Sequence, residues 1–143
     1  MPARHAEAEW QGNLREGKGR LKLESGAFEG AYSYRARFED GAGTNPEELL
    51  GAAHAGCFSM ALAAGLTASG HAPTRIHTSA TVHLERAGEG FAITRIELVT
   101  DASVPGIEAA AFEAQAQSAK ANSPVSKALA ASTITLTAHL SAE

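Results

Sequence analysis

"TNPEELLGAAHAGCFSMAL", residues 44–62, holds the only cysteine of the chain, Cys57, in a run of small apolar residues. Asn45 is a good N-cap, Pro46 suits the first helical position, and Glu48 three residues on completes a capping-box-like pattern. No charged residue follows between Leu49 and Ala68, and Gly70 and Pro73 supply the stop. The pattern predicts a helix running to about Ser69, about 24 residues or roughly 36 Å long. A helix apolar on every side in a soluble protein must be wrapped by protein. The stretch also has spanning length, but it is rich in Ala and Gly and headed by Glu47 and Glu48, and strands flank it, so no membrane span is expected.

The flanking segments alternate with period two. Ala6, Ala8 and Trp10 oppose Glu7, Glu9 and Gln11, and Leu21 and Leu23 oppose Arg20, Lys22 and Glu24. In "EGAYSYRARFED", Tyr32, Tyr34, Ala36 and Phe38 share one face, with Ser33, Arg35 and Arg37 on the other, which predicts a third strand. After the helix, Ile76 to Leu84 and Phe91 to Thr100 read as a hairpin. A second helix is expected from Ile107 to Ala121, a short one after Ser123 with Pro124 at its first position, and a last strand from Ile134 to Leu140. The order predicts an α+β fold, antiparallel sheets with a long buried central helix. One small sheet covers such a helix poorly; the other helix or a second copy of the chain could supply the rest, and a homodimer is expected.

At 143 residues, 44% hydrophobic and 20% charged, the chain reads as one domain, 1–143. A net charge of -4 with no Lys or Arg cluster argues against nucleic-acid partners. One cysteine makes no internal disulfide, and the N-terminus lacks a basic start followed by an apolar core, so a reducing cytoplasm is the expected compartment. Histidines at 5, 54, 71, 77, 83 and 139 are scattered without a ligand motif, so neither a metal nor a cofactor is expected.

Cys57 has two readings. It is a small buried hydrophobe, or it is a reactive thiol, which needs a nearby cation or hydrogen-bond donors that favour the thiolate. His54 lies one turn earlier, about 60° away around the helix, close enough for the side chains to meet, so that it packs against or orients the groups around Cys57. Glu47 lies about 15 Å from Cys57 along a straight helix, so direct contact is excluded. Arg37 is the right kind of bridge, always charged, planar and able to hold a carboxylate while offering donors to a thiolate. The alternative for Arg35 and Arg37 is a solvated strand face.

The stretch at 44–62 closely resembles the active-site helix of the OsmC family, relatives of the organic hydroperoxide resistance proteins. The resemblance extends to "GKG" at 17–19, "ESG" at 24–26, "RFE" at 37–39, "GFAIT" at 90–94, "VPGI" at 104–107 and "PVSKAL" at 124–129. It implies an intertwined homodimer with its sites at the subunit interface. It also implies thiol-dependent reduction of peroxides in oxidative and osmotic stress, organic hydroperoxides preferred, with a dithiol of the lipoyl type as reductant. Cys57 stands where the family has its peroxidatic cysteine, Arg37 its arginine and Glu47 the carboxylate that holds it. Where the family has a resolving cysteine, this chain has Ser123. A serine there keeps the shape and loses the redox chemistry; taken alone, it is simply a good N-cap.

Two other functions fit parts of the pattern. A hotdog-type thioesterase also wraps a long helix in an antiparallel sheet and would use Glu47 as its base. A redox-impaired binding protein would hold apolar molecules between subunits and leave Cys57 unreactive.

Overall fold

Alternation along the first segments builds a three-stranded antiparallel sheet of β1 (Ala6–Gln11), β2 (Lys18–Leu23) and β3 (Glu29–Tyr32), in that order. Its register sets Ala8 opposite Leu21 and Trp10 opposite Gly19, which in turn faces Tyr32. The Trp10 and Tyr32 rings lie 5.4 Å apart over Gly19, where a Cβ would come within 2.4 Å of the tyrosine ring. The computed structural model describes residues 1–141 in two compact units, the first of them residues 1–49 and the second everything from Leu50.

The third strand ends sooner than the alternation predicts. Ser33 turns the chain: its side chain accepts a hydrogen bond from the Ala36 amide at 3.1 Å and caps a one-turn helix, α1 (Tyr34–Phe38). Tyr34 and Phe38, four residues apart, then stack with ring centroids 4.9 Å apart. Arg37 therefore stands on a helical turn and not on the polar face of a strand. Gly43, at φ 106°, lets the chain double back so that the Thr44 amide reaches Ala31 O at 2.9 Å.

That turn delivers the chain into α2 (Pro46–Ala68), whose ends match the predicted start and stop. Asn45 Oδ1 accepts from the Glu48 amide at 2.7 Å, while the Glu48 carboxylate accepts from the Thr44 hydroxyl at 2.7 Å. The cap is thus completed through Thr44, with both carboxylates of the first turn at the positive end of the helix dipole.

The second unit is built on most of α2 and a sheet of β4 (Arg75–Ala87), β5 (Gly90–Ser103) and β6 (Thr133–Leu140). β4 and β5 form the expected hairpin, with a register shift at His83/Leu84. β6 runs parallel to β5, which departs from an all-antiparallel plan. The reason is connective: α3 (Ala109–Asn122) and α4 (Pro124–Ala128) carry the chain back to the end where β5 began, as a helical crossover does.

Its core joins Phe58, Leu62 and Leu66 of α2 to Leu98 and Ala102 of β5 and to Phe112, Ala116 and Ala119 of α3. Each large side chain fully buried here contributes about 1.5–3 kcal/mol. A chain of hydroxyls fixes α2 on the sheet: Ser59 donates to Thr78 at 2.8 Å, and Thr78 bonds Thr100 at 2.9 Å. Within this unit α2 buries the stripe Gly51, His54, Phe58, Leu62 and Leu66. Its opposite face, with Ala52, Ala53, Gly56 and Ala64, is exposed, and Met60 there is 77% exposed.

Candidate active site

Arg37 and Glu47 meet in the first unit. Arg37 Nε donates to Glu47 Oε1 at 3.0 Å and Nη2 to Oε2 at 2.9 Å, a two-point pair that only a guanidinium can form. Glu47 is buried, its side chain 10% exposed, whereas that of Arg37 is 37% exposed. The pair engages both carboxylate oxygens and leaves the Nη1 edge of the guanidinium outside it. Asn45 ties the supporting elements together, donating from Nδ2 to Ala36 O at 3.1 Å while capping α2.

The second unit carries Cys57 and His54 on α2, and Ser123 at the junction of α3 and α4. Cys57 is a free cysteine, partly buried, one turn after His54. The His54 ring is fully buried, and burial pushes its pKa below the ordinary 6.5 by disfavouring the charged form. Its Nε2 lies 2.7 Å from Ser126 Oγ, and Ser126 Oγ accepts from Ser123 Oγ at 2.8 Å. Ser123 occupies the N-cap position in its backbone, its carbonyl accepting from the Lys127 amide at 3.0 Å. Its hydroxyl makes no cap bond and turns to Ser126 instead, a departure from the simple N-cap reading. The structure thus joins Arg37 to Glu47, and His54 to Ser123 through Ser126.

Sequence reasoning passed over Ser126. The available signal was its place three residues after Ser123 in a helix opening, where two side chains share a face. Nothing in the sequence marked it as buried. Among the described residues, no group of three or more His, Cys, Asp or Glu is arranged to hold a metal ion.

A family model described as OsmC-like protein matches residues 39–138. Over 126 residues the chain is 49% identical to Peroxiredoxin OsmC of Escherichia coli (strain K12), a match covering 87% of this chain and 88% of that protein. The Shigella flexneri protein of the same name matches with the same figures. Among solved structures, an organic hydroperoxide resistance protein OsmC from Legionella pneumophila superimposes with a TM-score of 0.73 at 20% identity, covering 98% of this chain and 100% of that one. An OsmC-like protein from Mycoplasma pneumoniae does so with a TM-score of 0.76 at 14% identity, covering 99% of each chain. These two likenesses show a common fold.

Proposed function

Because the chain belongs to the OsmC family, we propose that it is a cysteine-based peroxidase that reduces organic hydroperoxides, with Cys57 as the attacking thiol and Arg37 and Glu47 as its electrostatic support. The two-point Arg37–Glu47 pair carries this reading. It holds a guanidinium in one orientation, with an edge free for a sulfur or a peroxide oxygen, before any substrate arrives.

The thiolate of Cys57 attacks one peroxide oxygen and the O–O bond breaks. The sulfur becomes a sulfenic acid, and the departing alkoxide takes up a proton to leave as alcohol. Arg37 stabilises the negative charge that grows on the alkoxide, an interaction strongest in the transition state. With serine at 123 no internal disulfide closes. An external thiol condenses with the sulfenic acid, releasing water, and a second thiol frees Cys57 as the two close a disulfide; a dithiol of the lipoyl type supplies both. The reducing cytoplasm is the fitting compartment for a chain that works through one free cysteine.

A homodimer with its sites at the subunit interface belongs to the same reading. Its support is the uncovered apolar face of α2 around Met60, which a single chain leaves to water. The thioesterase reading loses ground on the same pair, because both oxygens of the carboxylate it would use already accept from a guanidinium.

Consumption of cumene hydroperoxide with a dithiol present tests the proposal. Cys57→Ser abolishes turnover if the reading holds. Turnover that survives this substitution overturns it, and thioester hydrolysis lost with Glu47→Gln but not with Cys57→Ser would put the thioesterase in its place.

A further inference from the structure

At the opening of α4, Ser123 Oγ–H donates to Ser126 Oγ at 2.8 Å, and Ser126 Oγ lies 2.7 Å from His54 Nε2, a bond whose direction follows the tautomer of the ring. With the Ser126 proton turned to Nε2, His54 is the neutral tautomer that carries its proton on Nδ1. All three side chains are almost entirely buried: His54 0%, Ser123 1% and Ser126 3% exposed. His54 Nδ1 has no hydrogen-bond partner among the described residues, a standing cost that a simple tether between α2 and α4 does not require.

A hydroxyl that donates along a line ending on a neutral imidazole is the arrangement that activates a nucleophile. Resting on the peroxidase reading above, we propose that Ser126 and His54 form a buried proton relay for the side chain at position 123, with His54 Nε2 as its terminal acceptor. The relay suits a thiol at 123. The thiol proton passes to Ser126 while the Ser126 proton passes to His54. The thiolate then attacks the sulfenic sulfur of Cys57, one turn from His54 on the same helix. The S–S bond forms as the S–O bond breaks, the thiol sulfur is oxidised and the sulfenic sulfur reduced, each by one formal step to the disulfide level, and the leaving hydroxide takes the proton back from His54 through Ser126 to give water. With Ser123 the relay is assembled but has no sulfur to deliver. His54 is on this account a positioning residue that acts through Ser126.

The direction of the relay is tested on the chain as it stands, by the ring ¹⁵N shifts of His54. A proton on Nδ1, with an Nε2 resonance that moves on Ser126→Ala, is the expected result. A proton on Nε2 overturns the proposal whether or not the chain is a peroxidase. Its use is tested in Ser123→Cys, alone and combined with His54→Gln or with Ser126→Ala, by following disulfide closure by mass after one equivalent of cumene hydroperoxide. Closure about a hundredfold slower in both combinations is expected for loss of a proton acceptor. Glutamine can still bond Ser126 but takes up no proton, so closure at the parent rate in Ser123→Cys/His54→Gln shows a merely structural histidine and overturns the relay. Absence of both a dimedone adduct and a disulfide between Cys57 and the introduced thiol in the Ser123→Cys variant overturns the peroxidase reading and the relay's role with it.

Discussion

Arg37 grips Glu47 through two parallel hydrogen bonds, at 3.0 and 2.9 Å, with the carboxylate buried and the guanidinium half open. Lysine offers one point charge in place of this fork. Arg37→Lys is expected to lower kcat/KM for cumene hydroperoxide by about 10²–10³, the usual cost of losing one oriented donor, with the circular-dichroism spectrum unchanged. Glu47→Gln leaves the arginine in place but loosely aimed, and a loss on the order of a hundredfold is expected. Full activity in either variant contradicts the electrostatic role.

Asn45 links the helix that carries Arg37 to the one that carries Glu47, bonding Ala36 O with one side-chain atom and the Glu48 amide with the other. Asn45→Ala is expected to cost about 0.5–2 kcal/mol in urea unfolding and to lower peroxidase activity as well. Lost stability with unchanged kcat/KM would show that the link holds the fold and not the site.

These contacts mark what the sequence disclosed. The cap of α2, its length and stop, and the hairpin were all legible because capping residues and period two are local signals. Cys57, Arg37 and Glu47 were singled out by their chemical types together with the family resemblance, and of these the structure pairs Arg37 with Glu47. The turn at Ser33 was not, since Tyr34, Ala36 and Phe38 alternate as a strand does and only the Ser33–Ala36 bond shows the chain choosing a helix. Nor was the parallel pairing of β6, which depends on where two helices return the chain. Ser126 stayed hidden because its partner His54 lies 72 residues away in sequence.

His54 ties pH to stability. Burial holds its pKa below 6.5 in the folded chain, so as pH falls below about 6.5 the unfolded chain takes up a proton that the folded chain resists. This contribution is present above pH 6.5 and is lost as pH falls through 6.5 toward the lower folded pKa. Urea unfolding between pH 7 and 5 is expected to show falling stability, with a shallower slope in His54→Gln. Equal slopes in the two proteins contradict a buried neutral histidine.

Phe58 and Met60 lie two residues apart on α2 with opposite surroundings, 0% and 77% exposed. Phe58→Ala is expected to cost about 3–5 kcal/mol through the cavity it leaves. Met60→Lys is expected to shift sedimentation from dimer toward monomer, because a charge then sits on the face that the proposed dimer would cover. A sedimentation profile identical to that of the unaltered chain would remove Met60 from the proposed interface.

The most direct test of Cys57 as an activated thiol is the intact mass of the unaltered chain after one equivalent of cumene hydroperoxide, with and without dimedone. The account predicts a single dimedone adduct at Cys57 within seconds, and with Ser123 at the other position no internal disulfide. A mass that stays at the free thiol over many minutes contradicts it, leaving Cys57 as a helix residue and the chain as a binding protein of the same fold.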